Sequence, residues 1–347
     1  MNVKDRIYQQ NLATLRMGGV LNDAAAAATG QVFLESELSR LDPIVRLPLE
    51  NFTYFRDIPI IEGGGWVESD IARNVDFAGP QDGEAGTDSN DIPVVNYNTS
   101  QDTWPIFPWS TRVRIPVVES LRMAQTNRSP QDLLDKGVRV KWSKHLDLRT
   151  YLGRKQGSTV VHPGLLNSPY VTATQVPSTG STSGGTASPL WANKTAEQIF
   201  NDFNFMVQTN WAASGFSPDA IPNRFLVPSD NYQTLLQPMV VGGVQVAESI
   251  LDWIKKRSYG VGITHQEPEV YPLPGPWIDG TGTGTTNQIV AYKFDKDCLS
   301  LTIAQQIQRY GGPLSVVSGA FEALYLGNVG VVKINRPTTI GYYYGIS

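Results

Sequence analysis

A stretch of fifty residues, from Glu62 to Thr111, restricts what this chain can fold into more than any other part of the sequence. It contains nine acidic residues and one basic residue, and glycine and proline interrupt it throughout. It also contains six aromatic residues: Trp66, Phe77, Tyr97, Trp104, Phe107 and Trp109. Connections longer than about 12–15 residues are uncommon unless they are functional or disordered, and disordered segments contain few aromatic residues. The stretch therefore requires a surface that buries its aromatic side chains.

That surface is expected to belong to another molecule. Ordering each residue costs roughly 1–2 kcal/mol of backbone entropy, and this acidic stretch offers few contacts of its own to offset the cost. We predict a projecting two-stranded arm whose six aromatic residues contact a second subunit. The alternative is a loop that folds back on its own domain.

A long helix is predicted further along the chain, from Ser129 to Gly153. Ser129 is a good N-cap, because its hydroxyl can accept a hydrogen bond from a backbone N–H of the first turn. Proline suits the next position, and glycine is common just beyond a helix C-terminus. Four apolar residues recur at four-residue spacing and define one buried stripe: Leu134, Val138, Trp142 and Leu146. A helix of this length, roughly 35 Å, is typical of a spine on which other elements pack.

The composition excludes several classes of protein. A net charge of -4 provides no bulk basicity for nucleic-acid binding. The single cysteine, Cys298, forms no disulfide framework and fits a reducing compartment. The chain has no run of about 18 apolar residues and no signal-peptide pattern, so we expect no membrane span.

No constellation in the sequence indicates catalysis or a cofactor. The three histidines, His145, His162 and His265, are far apart, and neither H-E-x-x-H nor a cysteine pair offers ligands for a metal. The G-x-S-x-G and G-x-x-x-x-G-K-[ST] motifs are both missing. We therefore predict that the chain is not an enzyme and has no catalytic, cofactor-binding or metal-binding residues.

The sequence pattern of the second half of the chain predicts a compact α/β unit. Thr195 to Gln198 predicts a capping box at the start of a helix. Arg224 to Val227 reads as a strand, with Ser229 as the cap of a short helix after it. A further helix over residues 248–257 ends in three basic residues, which suits its dipole. Extended or loop backbone is predicted over residues 45–61 and 177–189, and a strand over 112–118.

Three motifs and the order of the parts resemble one known family. The motifs are V-E-S-L-R-M-A (Val118 to Ala124), G-L-L-N-S-P-Y-V (Gly164 to Val171) and R-F-L-V-P-S-D-N-Y (Arg224 to Tyr232). They occur within a series of arm, acidic loop, long helix, α/β unit and C-terminal return strand. In this order the chain resembles the major capsid protein of tailed bacteriophages, whose Johnson fold is shared with encapsulins. The resemblance extends roughly from Phe33 to Ile346.

The resemblance implies an α+β tailed-phage capsid (Johnson) fold with an N-terminal arm, an extended loop (E-loop), a peripheral domain with a long spine helix, and an axial domain. The implied boundaries are 1–55 for the N-terminal arm, 56–118 for the E-loop with its flanking strands, 119–189 for the peripheral domain with the spine helix at 130–152, 190–310 for the axial domain, and 311–347 for the return to the peripheral domain.

The resemblance also implies a function and partners. The chain would self-assemble through hexamers and pentamers into the icosahedral head shell of a tailed bacteriophage, which encloses double-stranded DNA without sequence-specific contact. The implied partners are a separate scaffolding protein, a portal and a decoration protein, with assembly in the host cytoplasm and a final place in the virion. No lysine occurs between Lys4 and Lys136, so we expect no crosslink through a loop lysine of the kind some family members form.

The charges suggest how such subunits would meet. Residues 130–155 contain seven basic and three acidic residues, opposite in sign to the arm. If the arm crosses the spine helix of a neighbour, we expect Arg139, Lys141 and Lys144 to contact it, and the complementary charges to fix register more than affinity. The alternative is that this basic face points to the lumen and meets DNA.

Two other functions are compatible with the sequence. An encapsulin-like nanocompartment shell would share the fold and hold an enzyme cargo, although the long acidic loop argues weakly against it. A carbohydrate-binding surface β protein would suit the tryptophan, tyrosine and Gly/Thr-rich loops.

Overall fold

The computed structural model describes residues 52–79, 95–125, 130–157, 159–317 and 319–347. Structural statements below concern this part of the chain. Three sequence predictions lie wholly or mostly outside it: the N-terminal arm before residue 52, the acidic tip of the E-loop, and the N-cap Ser129.

Helices and strands of very different lengths alternate along the described chain. The helices are α1 (Tyr54–Asp57), α2 (Val117–Gln125), α3 (Pro130–Tyr151), α4 (Ala196–Ala213), α5 (Ser229–Leu235), α6 (Ile250–Arg257), α7 (Tyr259–Thr264) and α8 (Gly275–Ile278). The strands are β1 (Ile60–Glu62), β2 (Ser69–Ala78), β3 (Asn96–Pro116), β4 (Arg154–Gln156), β5 (Thr159–His162), β6 (Ala173–Gln175), β7 (Gly180–Ser181), β8 (Ala187–Ser188), β9 (Arg224–Pro228), β10 (Pro238–Val241), β11 (Val244–Ser249), β12 (Glu269–Leu273), β13 (Gln288–Tyr292), β14 (Leu299–Val317), β15 (Ala320–Ile334) and β16 (Ile340–Tyr344).

The first five-stranded sheet has the strand order β1-β14-β15-β3-β2. Strand β15 pairs antiparallel with β14 and with β3, whereas β1 runs parallel to β14. Strand β3 changes partner along its 21 residues, because Ile106 to Pro116 pair with β15 and Asn96 to Pro105 pair with β2. The strand thus runs from the centre of the sheet into a two-stranded hairpin, which is the pairing predicted for the arm.

The spine helix α3 packs against this sheet through the predicted stripe. Val138, Trp142 and Leu146 are buried, and Leu134 is half-buried. A Cβ atom at Gly327 of β15 would lie 2.6 Å from Cη2 of Trp142, so only glycine lets the indole approach the strand this closely. The long helix predicted from the sequence is confirmed from Pro130 onward.

The second five-stranded sheet has the order β12-β9-β13-β16-β6 and carries a separate apolar core. Helix α4 packs on it, with the rings of Phe203 and Phe225 5.3 Å apart. The hydroxyl of Tyr343 in β16 donates to the carbonyl oxygen of Met206 at 2.9 Å. The C-terminal tail is therefore a core strand of this sheet.

The capping box predicted at Thr195 is confirmed. Its hydroxyl accepts from the backbone N–H of Gln198 at 3.3 Å, and the Gln198 side chain accepts from the Thr195 N–H at 2.9 Å. Just before the helix, the ammonium of Lys194 forms a fully buried ion pair with Asp202 at 2.7 Å.

Two helix starts were predicted wrongly. Ser229 is the first residue of α5, and its predecessor Pro228 makes no side-chain capping bond. Helix α6 begins at Ile250, because Ser249 forms a capping box with Asp252 and leaves residue 248 in strand β11.

Extended and loop backbone was also predicted too broadly. Tyr54 to Asp57 form α1, because the carboxylate of Asp147 accepts hydrogen bonds from the N–H groups of Thr53 and Tyr54. The strand predicted to reach residue 118 ends at Pro116. The loop at 177–189 contains the two-residue strands β7 and β8.

Candidate intersubunit surface

The arm hairpin, formed by β2 and the β3 residues paired with it, has two chemically different faces. Directly opposed residues of an antiparallel pair lie on one face, so the register Phe77–Tyr97 places these two rings together. Ile71 and Val75 lie on the same face, which also carries Arg73, Thr99, Gln101 and Thr103. We call its apolar residues the apolar arm face (Ile71, Val75, Phe77 and Tyr97). The other face carries polar side chains: Asp70, Asn74, Asp76, Asn96, Asn98, Ser100 and Asp102.

The apolar arm face is open to solvent. Its four side chains are 51%, 54%, 73% and 71% exposed in the order Ile71, Val75, Phe77 and Tyr97. Within the described part of the chain, β2 is the edge strand of its sheet and pairs with β3 alone. The hairpin therefore presents apolar surface that its own described chain leaves uncovered.

The base of the arm is anchored by polar contacts to the neighbouring strands. The carboxylate of Asp70 accepts from Nζ of Lys333 at 2.5 Å and from the Thr302 hydroxyl at 2.8 Å. The hydrogen bond from Lys333 is the main reason why the pKa of Asp70 lies below its usual value. The side-chain amide of Asn328 donates to the carbonyl oxygens of Gly65 and Val67. These bonds hold the hairpin to β14 and β15 at one end.

The six aromatic residues predicted to contact a neighbour divide into two groups. Trp66, Phe77 and Tyr97 are exposed. The indole Nε1–H of Trp66 donates to the hydroxyl of Tyr310 at 3.3 Å, and the two rings lie edge to face with centroids 6.0 Å apart. The other three are half-buried in their own chain: Trp104, Phe107 and Trp109. The three aromatic residues of β3 nearest the base of the arm thus already pack within the subunit.

The basic residues predicted on the spine helix lie on its outer side. Arg139, Lys141 and Lys144 are all exposed. The acidic residues Asp135 and Asp147 point elsewhere, since Asp135 accepts a hydrogen bond from Tyr325 of β15 and Asp147 is buried. The outer side of the helix is therefore more basic than its sequence suggests.

A buried polar junction, which the sequence did not reveal, joins α1 to the spine helix. The hydroxyl of Tyr151 donates to Asp57 at 2.6 Å, and Arg56 donates to the same carboxylate at 2.5 Å. Asp147 accepts from the N–H of Thr53 at 3.2 Å, and burial raises the pKa of Asp147 to about 6. Nothing in the sequence near residues 53–57 indicates these partners, because they lie more than ninety residues away.

Across the ranges that the structure describes, no group of three or more His, Cys, Asp or Glu residues is placed to hold a metal ion. Cys298 is buried, and burial raises the pKa of its thiol. None of the described helices is both long and apolar enough to cross a bilayer.

A family model decides which family contains this chain. The model described as major capsid protein matches residues 83–346. The chain belongs to the major capsid protein family. This capsid protein is therefore a structural component of a capsid shell, and its place is in the virion, as the resemblance implied.

Solved phage capsids share the fold. The capsid of Myoviridae phage XM1 matches with a TM-score of 0.70 at 15% identity, covering 90% of this chain and 98% of the other. A protein of Microbacterium phage Oxtober96 matches with a TM-score of 0.56 at 11% identity, covering 88% and 95%. The capsid of an empty GTA particle matches with a TM-score of 0.54 at 11% identity, covering 94% and 99%. The predicted α+β tailed-phage capsid fold is confirmed. No curated protein matches the capsid protein in sequence.

Proposed function

We propose that this capsid protein self-assembles into the icosahedral shell of a tailed-phage head and encloses double-stranded DNA. Membership of the major capsid protein family supports shell formation, and the fold shared with phage capsids supports the tailed-phage assignment. The observation that carries the proposal is the exposed apolar arm face. Exposed apolar patches of this kind mark sites of association.

A second copy of the chain is the proposed occupant of the apolar arm face. Exposed ion pairs contribute only about 0–1 kcal/mol each, so burial of Phe77 and Tyr97 supplies most of the contact energy. The polar face of the arm would meet Arg139, Lys141 and Lys144 of the neighbour and fix the register. Of the six predicted aromatic residues, Trp66, Phe77 and Tyr97 have the most solvent-exposed surface available for this contact. Trp104, Phe107 and Trp109 are half-buried in their own chain and contribute only their remaining exposed surface.

The organisation of the shell follows the same proposal. Residues 190–310 form the axial domain, which meets the axial domains of other copies around the centres of hexamers and pentamers. Residues 119–189 and 311–347 together form the peripheral domain. One strand, β14, runs from Leu299 to Val317 and so connects these two proposed regions. Residues 1–55 and 56–118 serve as the N-terminal arm and the E-loop.

The proposed partners complete this assignment. A separate scaffolding protein directs assembly in the host cytoplasm, a portal occupies one vertex, and a decoration protein binds the outer surface. The DNA is held without sequence-specific contact, and the protein has no enzymatic role, no cofactor and no membrane. A loop lysine forms no crosslink, because the chain has no lysine between Lys4 and Lys136.

Electron microscopy of the expressed full-length protein, alone and with its scaffolding protein, tests this proposal. We expect closed icosahedral particles, and particles from infected cells that contain double-stranded DNA. A chain that stays monomeric under both conditions would contradict shell formation. Closed particles that hold a protein cargo and no nucleic acid would favour the encapsulin-like compartment instead.

A further inference from the structure

Four side chains at the C-terminal end of the spine helix form a group that we call the cation cluster: His145, Arg149, Arg154 and His162. Arg149, in the last turn of α3, is only 7% exposed. Its Nη1 is buried and has no hydrogen-bond partner among the described residues. Its Nε donates to Nε2 of His145 at a long 3.4 Å. A buried guanidinium with so few partners is uncommon, because burying an unpaired charge destabilises the fold.

The other members of the cluster surround one aromatic ring. Arg154 and His162 face each other across the strand pair β4–β5. The guanidinium carbon of Arg154 lies 3.7 Å from the centroid of the Phe107 ring, and that of Arg149 lies 5.5 Å from it. The imidazole of His162 is 5.5 Å from the same ring. A guanidinium stacked on an aromatic face keeps its N–H edges available for a planar anion.

Among the described residues, no carboxylate forms an ion pair with Arg149 or Arg154. Burial lowers the pKa of Arg149 to about 10, and the charge of Arg154 adds to this effect. Burial and Arg149 lower the pKa of His145 to about 4, and burial with both arginines lowers the pKa of His162. The positive charge of the cluster at neutral pH therefore belongs to Arg149 and Arg154. No carboxylate of the described chain opposes any of these shifts. The group is thus arranged for an anion that its own described chain does not supply.

The backbone holds the cluster in place. Gly153 ends the spine helix with a φ of +75°, a conformation that favours glycine. A Cβ atom at Gly164 would lie 2.5 Å from the carbonyl oxygen of Tyr151, so the chain after β5 is pressed directly against the helix end. Arg154 and His162 are therefore fixed beside Arg149 by the main chain rather than by flexible loops.

We propose that the cation cluster is a binding site for a carboxylate side chain of a second copy of this chain. The inference rests on the proposed function, since assembly is what brings the second copy. The segment from Glu62 to Thr111, which contains the arm, is the richest source of such a group, with nine acids against one base, and Asp76 is exposed near the far end of β2. Its ten-residue strand β2 spans about 33 Å and carries distal acids away from Phe107 at its own base. An arm therefore reaches another subunit's cluster more easily than its own.

Replacing Arg149 by methionine removes the charge and keeps a similar volume, which separates folding from assembly. We expect Arg149→Met to retain or raise the Tm of the unassembled full-length chain, because an unpaired buried charge is gone. We expect the protein concentration at half-assembly to rise at least ten-fold. Lys136→Met, an exposed change on the same helix, is the matched control and should move the half-assembly concentration less than Arg149→Met does. A lower Tm with unchanged assembly of the folded fraction would show that Arg149 serves only its own subunit and would overturn the proposal.

The structure of wild-type particles provides a second test that does not depend on the variant's folding. A neighbour's carboxylate oxygen within 4 Å of the Arg149 or Arg154 guanidinium would support the proposal. A nucleic-acid phosphate, an inorganic anion or no anion at this place in well-formed particles would overturn it while leaving the proposed shell intact. A wild-type chain that forms no particles would overturn both.

Discussion

The rings of Trp109 and Trp142 lie edge to face, with centroids 5.2 Å apart and planes inclined at 65°. Trp109 belongs to β3, which continues into the arm, and Trp142 belongs to the spine helix. Gly327 of β15 is the direct sheet partner of Trp109 and lies against the Trp142 indole. Two strands and one helix meet at this contact, so it joins the strand that continues into the arm to the spine helix.

Removing the Trp142 side chain should destabilise the subunit strongly. Trp142 is 4% exposed and packs against Trp109, so Trp142→Ala leaves a cavity at the meeting point of helix and sheet. We expect a loss of about 3–5 kcal/mol in the free energy of unfolding of the unassembled chain, measured by urea denaturation. Lys141→Ala, one residue away and exposed, should stay within about 0.5 kcal/mol of the wild type. A loss below about 1 kcal/mol for Trp142→Ala would mean that this contact does not hold the helix to the sheet.

Adding one methyl group at Gly327 should have a related effect. The new Cβ would lie 2.6 Å from Cη2 and 2.8 Å from Cζ3 of Trp142, too close for van der Waals contact. We expect Gly327→Ala to lower the free energy of unfolding by about 1–3 kcal/mol. Gly137→Ala is the control, because its new Cβ would meet nothing within 4 Å beyond the backbone of its own helix, and alanine favours a helix. Combining Gly327→Ala with Trp142→Phe should recover part of the lost free energy of unfolding, because the smaller ring leaves room for the new methyl group. If the changes in free energy of the two substitutions simply added, the steric explanation would be contradicted.

Polar substitution on the apolar arm face should act on assembly alone. Phe77 and Tyr97 are 73% and 71% exposed, so Phe77→Ser with Tyr97→Ser removes few contacts within the subunit. We expect the unassembled chain to keep its stability within about 0.5 kcal/mol and the yield of particles in sedimentation assays to fall by at least ten-fold. Tyr170→Ser, a change at an equally exposed aromatic residue outside the arm, serves as the control. Normal particle yield from the double variant would show that a neighbour does not bury this face.

Local patterns explain which elements the sequence predicted correctly. The stripe through Val138, Trp142 and Leu146 has helical spacing, and the same side chains are buried in the structure. The capping box at Thr195 needs only residues three positions apart, and it forms as predicted. The paired arm followed from the cost of ordering an acidic stretch rich in aromatic side chains. Each inference depended on residues close together in the chain.

Features that depend on distant partners were not predictable in this way. Helix α1 has only four residues, and its start is fixed by Asp147 of the spine helix. Strand β14 continues through a Gly-Gly-Pro sequence that resembles a turn, with a shift in register between Tyr310 and Ser315. The sequence did not predict the cation cluster, because only the three-dimensional structure reveals whether a basic side chain has an acidic neighbour. Likewise, the burial of Trp109 and Phe107 in their own subunit depends on the spine helix and on strands β4 and β5.

The stability of the unassembled chain should depend on pH through Asp147. Its side chain is 2% exposed, and burial raises its pKa from 3.8 to about 6 despite hydrogen bonds from the N–H groups of Thr53 and Tyr54. Nearby Asp57 raises this pKa further and Arg56 lowers it. Because the folded-state pKa exceeds that of the unfolded chain, the contribution of Asp147 to stability is fully present below pH 3.8 and is lost as the pH rises through about 6.

Asp147→Asn isolates this effect, because asparagine keeps an oxygen that can accept both N–H groups and carries no charge. We compare the free energies of unfolding of the variant and the wild type by urea denaturation at pH 7.5 and at pH 4.5. Relative to the wild type, the variant should be more stable at pH 7.5 than at pH 4.5, by at most about 3 kcal/mol. This relative stability of the variant should decrease as the pH falls. A difference between the two proteins that is the same at both pH values would contradict an elevated pKa at Asp147.

Reversing two charges on the outer side of the spine helix distinguishes contact with the arm from contact with DNA. Lys141 and Lys144 are both exposed there, and the double variant with glutamate at both positions would repel an acidic arm. If the arm of a neighbour crosses this helix, the concentration at half-assembly should rise roughly ten-fold at low salt, and the effect should weaken as salt screens the charges. The same net charge change at Lys293 and Lys296 is the control for bulk charge. Unchanged assembly together with reduced retention of packaged DNA would instead place this face of the helix in the lumen.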